Sequence, residues 1–330
     1  MTQRWAYLGP EGTFTEQAVR SILARTPELE VELVPTDGVS TTLEELRGGR
    51  VDAACVPLEN SVEGAVPLTQ DELTHGLPLM VTAEAFVPVT FHLLVRPGTV
   101  PADIRTVGSH PHGHAQVRNW LAVHLPSADP VANTSTAAAA AAVAAGEIDA
   151  AAAAPLAGLR HGLVPVAEDI GIGKDATTRF VLLRPPGPPP APTGNDRTSF
   201  IASVSNQPGA LLGVLTEIAG RGINMTRLES RPTRNRLGEY VFLIDADGHI
   251  ADPAMADMLA ALVRRSVLMR WLGSYPRMSG SNDPAPEFAT AVAYSTAAQA
   301  VSDLLAGGPV GPGGPGGPRN SAAGHHREVQ

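Results

Sequence analysis

The sequence predicts an α/β block of two similar lobes, joined by a stiff linker to a smaller α+β domain of ferredoxin-like βαββαβ order. Three observations carry this. The stretch "RPPGPPPAPTGNDR" (184–197) is Pro-rich and aperiodic, so it separates residues 1–184 from the rest, with the linker over 185–197. The first block repeats itself: "GRVDAACVPL" (49–58) resembles "GEIDAAAAAPL" (146–156), and "AYLGPEGTFTEQA" (6–18) resembles "RTVGSHPHGHAQV" (105–117), at similar offsets. Each member of the second pair reads as strand, Gly, polar loop, helix start, so each lobe alternates strands with helices. Beyond the linker, residues 198–276 run through strand, helix, two strands, helix and strand.

In chain order, the 6–18 unit ends a strand at Gly9 and starts a helix, with Thr13 in the loop. The repeated strand at 49–58 leads into "PLENSVEG" (57–64), which puts Glu59, Asn60 and Ser61 at its carboxyl end; such a run serves either a ligand or a helix cap. In the second lobe Ser109 takes the loop position. Next, "NTSTAAAA" (133–140) offers Thr134, Ser135 and Thr136 as N-caps of an Ala-rich helix. In open α/β sheets the ligand crevice lies beyond the carboxyl ends of the strands. Helix N-termini aimed there would attract an anion through free N–H groups. "KDATTRFVLL" (174–183) brings Thr177, Thr178 and Arg179 by a short loop to the entrance of a buried strand through Val181, Leu182 and Leu183. A hydroxyl beside a guanidinium there suits an anion that needs a proton, or else a turn with a solvated Arg.

After the linker, "TSFIASVS" (198–205) alternates as a strand. "GALLGVLTEIAGRG" is an amphipathic helix with Leu211, Leu212, Leu215, Ile218 and Ala219 on one face, ended by Gly220 and Gly222. "INMTRLESRP" and "EYVFLIDADG" are strands, "DPAMADMLAALVRRS" a helix with Pro in its first turn, and "VLMRWLGSY" a last strand. Residues 277–330 read as a disordered tail, ending in the Gly/Pro-rich stretch 307–330 with solvated His325 and His326, and interrupted by one helix over 285–306.

Composition removes several function classes. A net charge of −9 argues against nucleic-acid or anionic-membrane surfaces, though a locally positive pocket could still take an anion. The single cysteine, Cys55, lies in an apolar run and reads as core; it permits no intrachain disulfide, which fits a cytoplasmic protein. No signal peptide or membrane span is visible. "GPEG" is not G-x-G-x-x-G and no Walker loop occurs, so nucleotide binding lacks support. His110, His112 and His114 alternate, but with no cysteine or carboxylate close in sequence, so no metal or other cofactor is expected.

Five stretches of the first block resemble the prephenate dehydratase family: "GPEGTFTEQA" (9–18), "VPLENSVEGAV" (56–66), "GSHPHGHAQ" (108–116), "STAAAA" (135–140) and "TRF" (178–180). "NQPGALLGVLTEIAGRGINMTRLESRP" (206–232) resembles the family's ACT regulatory domain. The resemblance spans about residues 4–276, in order. It implies a periplasmic-binding-protein-like two-lobed catalytic domain followed by an ACT domain in a monofunctional lyase. This enzyme removes carbon dioxide and hydroxide from prephenate to give phenylpyruvate, in L-phenylalanine biosynthesis and under L-phenylalanine control. By the family's pattern Thr178 corresponds to its essential threonine and donates to the departing hydroxyl. Arg179 would hold a carboxylate or serve a structural salt bridge, Phe180 would wall the ring, and Thr13, Asn60, Ser61 and Ser109 would add donors. The effector would meet Gly209, Ala210 and Leu211 through its carboxylate and Glu229 and Ser230 through its amine, between ACT domains paired in a homodimer or homotetramer. The chain departs from the family at Ala176, where Asn is usual, at His112, where Gln is common, and at Leu212, where a polar residue is frequent; Lys174 adds a positive charge. Arogenate as substrate, or a non-catalytic sensor of a small carboxylate and an amino acid, stand as alternatives.

Overall fold

The computed structural model describes residues 2–173, 176–234, 239–266, 268–278, 280 and 285–308. The chain builds one lobe, crosses to build a second, and returns. The first lobe comprises β1 (Gln3–Leu8), α1 (Phe14–Leu23), β2 (Val31–Thr36), α2 (Val39–Arg47), β3 (Ala53–Asn60), the short β4 (Gly64–Ala65), α3 (Pro67–His75) and β5 (Met80–Pro88). The second comprises β6 (His92–Val95), β7 (Thr106–Ser109), α4 (Pro111–His124), β8 (Asp129–Ala132), α5 (Thr136–Ala145), β9 (Ala150–Ala153), α6 (Pro155–His161) and β10 (Val164–Ala167). β11 (Thr177–Arg184) then re-enters the first sheet.

The sequence repeat is a repeat of topology. The first sheet runs β2-β1-β3-β11-β5 and the second β8-β7-β9-β6-β10. In each, the strand that leads into the Gly-loop pairs in parallel with both neighbours, and the Asp-Ala-Ala strand then meets an antiparallel strand. The "GRVDAAC" and "GEIDAAA" segments are thus the entries to β3 and β9. They are rich in small apolar residues because both faces are covered: Ala53, Ala54, Cys55 and Val56, and Ala150 to Ala153, are fully buried. Burial pushes the Cys55 thiol far up, which suits a core residue and not a nucleophile.

The C-terminal domain has the expected βαββαβ order: β12 (Asp196–Ser203), α7 (Ala210–Ala219), β13 (Met225–Pro232), β14 (Tyr240–Asp247), α8 (Pro253–Arg265) and β15 (Leu268–Pro276), with sheet order β13-β14-β12-β15. β12 takes Asp196 and Arg197, both buried, from the end of the expected linker. On α7 the buried residues are Val214 and Ile218, whereas Leu212 is 65% exposed and Ala219 is also exposed. The apolar face expected from spacing was therefore rotated, because α8 and the sheet meet the Val214 side. In the tail segment a short turn at Glu287–Ala289 precedes α9 (Ala291–Leu305), which buries none of its residues. Residues 309–330, with His325 and His326, lie outside the described residues. No helix among the described residues is long and apolar enough to cross a membrane.

The C-terminal sheet has two covered faces. Phe200, Ile244 and Ala246 pack under α7 and α8. Ile201, Val241, Leu243, Leu272 and Tyr275 pack instead against Val81, Val181 and Leu183 of the first lobe in one continuous core. β15 lies against β5 so closely that a Cβ on Gly273 would run into the Val81 carbonyl oxygen, and Gly273 holds φ at 132°, a conformation closed to other residues. Gly273→Ala is expected to cost at least about 1–3 kcal/mol and to loosen the domain docking. Thermal unfolding checks this; an unchanged Tm would show that the backbones can part freely.

Candidate functional site

Between the lobes lies a cleft of about 730 Å³ lined by Thr13, Phe14, Asn60, Glu63, Phe91, His110, His112, Gln116, Thr134 to Thr136, Thr178 and Phe180, among others. Three helices begin at it. Thr13 caps α1 by accepting from the Glu16 N–H, His110 caps α4 by accepting from the His112 N–H, and Ser135 caps α5 by accepting from the Ala138 N–H. Uncompensated N–H groups and the positive ends of three dipoles so converge on one space. Among the described residues no Lys or Arg lines it. From these residues an anion would meet helix ends and uncharged donors. The floor is apolar: Phe14 and Phe91 meet edge to face across the lobes at 5.8 Å, with Phe180 and Val89 beside them.

Thr178 is 8% exposed, and its orientation follows from Asn60. The Asn60 Oδ1 accepts the N–H groups of Val62 (2.8 Å) and Glu63 (3.0 Å), which fixes which end of the amide is which. Its Nδ2 must then donate to the Thr178 hydroxyl, at 2.8 Å. The Thr178 oxygen is an acceptor in that bond, so the hydroxyl keeps its own proton for another acceptor. β3 makes this possible by a bulge: Arg179 pairs with Glu59 but Phe180 with Pro57, so Leu58 is the extra residue. A bulge re-aims side chains. Here it brings Asn60 opposite Thr178.

The other expected donors divide. Thr13 lines the cleft, yet its hydroxyl donates to the Leu8 carbonyl (3.1 Å) while it caps α1, so it is an internal brace. Ser61 is exposed and does not line the cleft; its Oγ accepts from the Thr177 N–H at 2.9 Å and so holds the start of β11. Ser109 is fully buried, donating to the Ala152 carbonyl at 2.8 Å beneath the first turn of α4. The Ser109 proton is thus spent in joining strands, whereas Ser61 serves β11 as an acceptor outside the cleft.

Arg179 does not face the cleft. "TTRF" lies within β11, not in a delivering loop, so side chains alternate: Phe180 and Leu182 pack towards α1, while Arg179, Val181 and Leu183 point to the C-terminal domain. The Arg179 guanidinium, 3% exposed, bonds Glu84 (2.8 Å), Asp245 (2.5 Å) and the Tyr275 hydroxyl (2.9 Å). Of the alternatives read from sequence, the structural salt bridge is the one the geometry gives. Burial opposes the charge on Arg179, but Asp245, Tyr275 and Glu84 raise its pKa well above the ordinary value.

The cleft also holds His110 and His112, to which the sequence reading gave no binding role, and Gln116, which it did not single out. His112 and Gln116, one turn apart on α4, both reach Glu63 of the first lobe, at 3.2 and 3.4 Å, and bridge the lips of the cleft. Starting the helix at Pro111 would have revealed this i,i+4 pair. His110 stacks on His112 at 5.2 Å, and burial, then His112 itself, hold its imidazole below the ordinary histidine range. His114 turns away to the Val131 carbonyl. Ala176 is buried, while Lys174 lies outside the described residues.

In the C-terminal domain Gly209 (φ 78°) caps α7 and, with Ala210, Gln207 and Arg265, lines a shallow cavity of about 250 Å³; Leu211 does not line it. Glu229 and Ser230, being neighbours on β13, sit on opposite faces of the strand, so within one chain they do not form a joint amine site.

Fold and cleft define a two-lobed α/β protein with its pocket between the lobes, fused to a ferredoxin-like domain. Comparison with known proteins gives the particular kind. A prephenate dehydratase family model matches residues 5–187 and an ACT domain model matches residues 198–264. The chain belongs to the prephenate dehydratase family. It is 52% identical over 278 residues to an Amycolatopsis methanolica protein named prephenate dehydratase, covering 84% of this chain and 90% of that protein. Among solved structures it resembles an Arthrobacter aurescens prephenate dehydratase in complex with L-Phe (42% identity, TM-score 0.84, 92% of this chain and 99% of that one). It also resembles GqqA, described as a novel type of quorum quenching acylase (33% identity, TM-score 0.73, 84% of this chain and 98% of that one).

Proposed function

We propose that the cleft binds prephenate and converts it to phenylpyruvate, carbon dioxide and water, as a lyase. The carbon–carbon bond to the ring carboxylate breaks and its electron pair enters the ring. The carbon–oxygen bond at the opposite ring position breaks, and the hydroxide leaves as water once it has gained a proton. The observation that carries the reading is the Asn60–Thr178 pair, in which the amide turns the threonine into an acceptor and frees its proton for the leaving oxygen. The convergent helix ends would hold the carboxylates, and the Phe14, Phe91 and Phe180 floor would take the ring. Thr178 alone is read as catalytic; Asn60 and Phe180 are read as substrate-side partners. The same reading includes a cytoplasmic location, supported by the single, buried cysteine. Purified protein given prephenate should release phenylpyruvate. Faster turnover of arogenate would reassign the substrate, and turnover of neither would leave only a sensor.

L-Phenylalanine is proposed as the effector of the ACT domain, with Gly209, Ala210 and Leu211 taking its carboxylate. Glu229 and Ser230 would act from a second copy, since they do not meet within one chain. Pairing through ACT domains is supported by the exposed Leu212 and by Leu268 and Tyr240, each more than 40% exposed. Calorimetry should find L-Phe binding to the whole protein, with a Kd that rises in Gly209→Val. No heat at millimolar L-Phe would remove the effector site. Deleting the ACT domain is a poor test: it would bare Val81, Val181 and Leu183 and strip Arg179 of Asp245 and Tyr275.

A further inference from the structure

Two adjacent cross-strand pairs carry opposite duties. Thr178 faces Asn60, and the next pair is Arg179 with Glu59. The first pair opens on the cleft. The second reaches the ACT sheet: Arg179 bonds Asp245 and Tyr275, and Glu59 makes an ion pair with Arg227 at 2.5 Å. The ACT ends of these contacts are themselves tied together. Asp245 pairs with Arg227 across β13 and β14, and Ser199 donates to Asp245 (2.5 Å) and bonds the Tyr275 hydroxyl (2.6 Å). On the lobe side Glu84 accepts from both Arg179 and Arg197, so it too links the sheets.

Resting on the prephenate dehydratase reading of the cleft, we propose that Glu59 and Arg179 are positioning residues through which the ACT sheet holds the Thr178–Asn60 pair in its productive place. Neither touches the cleft. Each is one backbone step from a residue that does, and each is tied to different ACT strands: Glu59 by an ion pair to β13, Arg179 by an ion pair to β14 and a hydrogen bond to the Tyr275 hydroxyl of β15. A shear of the ACT sheet over the lobe therefore moves β3 and β11 relative to each other, and with them the Asn60–Thr178 distance of 2.8 Å. Positioning errors of this kind act on the reacting geometry, where about 1 Å is enough to cost on the order of 100-fold in rate. The bulge at Leu58 is part of the device, because it sets Asn60 and Glu59 opposite Thr178 and Arg179.

The test uses the full chain. Glu59→Gln removes the charge from a half-exposed side chain and keeps its shape, so folding should survive; Asp245→Asn is the second variant. Both should lower kcat for prephenate by about 10- to 100-fold with KM changed less than about threefold. Arg221→Gln, which breaks an ACT ion pair with Asp257 away from this interface, should leave kcat alone. A double-mutant cycle gives the readout that a merely structural role would not move. If Glu59 acts through the Thr178 hydroxyl, Glu59→Gln should cost much less in a Thr178→Ala background, where there is no hydroxyl to position, than in the wild type. Additive effects, or variants that melt earlier yet keep the wild-type kcat below their Tm, overturn the proposal. A wild-type chain that fails to turn over prephenate sinks the functional reading along with it, whereas an active wild type with an indifferent Glu59→Gln sinks this inference alone.

Discussion

Thr178→Ala should fold like the wild type and lose about 10²–10⁴ in kcat, the usual worth of a positioned proton donor. The substitution removes the γ-methyl group as well as the hydroxyl, but the void is only one methyl in size, so the cost to folding is modest. What bears on the rate is loss of the hydroxyl that Asn60 has oriented at 2.8 Å. Thr178→Ser restores the donor and should recover much of the rate. Thr177→Ala, whose side chain lies on the other side of β11, is the internal control and should be mild. KM should change little in Thr178→Ala if the hydroxyl acts in the transition state and the helix ends do the binding. A Thr178→Ala protein with wild-type turnover would end the assignment.

The largest expected loss of stability is in Arg179→Ala. Removing one partner of a buried ion pair typically costs about 3–5 kcal/mol, because the other charge stays behind. Glu84 retains Arg197, so the cost falls on Asp245. Burial raises the Asp245 carboxyl, but Arg179, then Arg227 and the Ser199 hydroxyl, outweigh it and hold the group at about 2, below its ordinary 3.8. A depressed carboxyl contributes stability that is fully present above its unfolded value and is lost as pH falls towards the folded one. In Arg179→Ala burial is left less opposed and the carboxyl shifts upwards, so its penalty is present at neutral pH and shrinks on protonation. Urea unfolding should therefore show a large gap between wild type and Arg179→Ala at pH 7 that narrows by pH 3. A constant gap would mean that the loss is packing alone. An increase in KM with unchanged stability, the outcome expected of a carboxylate ligand, would contradict the buried placement.

Much of the site was legible because two of its signals are local. The Gly-loop before each helix and the Ser135 cap depend on residues within a few positions, and both lie at the cleft as read. The roles of Ser61 and Ser109 were not legible. A hydroxyl in a loop looks the same whether it faces a ligand or, as with Ser109 and the Ala152 carbonyl, closes a hydrogen bond between strands far apart in the chain. Arg179 was misplaced for a different reason. Putting "TTR" in a loop hid the period-two alternation that sends Thr178 and Arg179 to opposite faces of the sheet.

By itself, the sequence determined the repeated two-lobed plan and the βαββαβ domain, since hydrophobic period, turn residues and internal repetition are properties of neighbouring residues. Only the tertiary structure decided which polar groups face the cleft and which are consumed in holding it. It placed β11 between β3 and β5, put the Leu58 bulge beside Asn60, and laid the C-terminal sheet over Val181 and Leu183. Those outcomes depend on which strands pair and on register. Pairing joins residues more than a hundred positions apart, as Asn60 and Thr178 are, and a one-residue bulge exchanges the face that points to ligand for the one that points to protein.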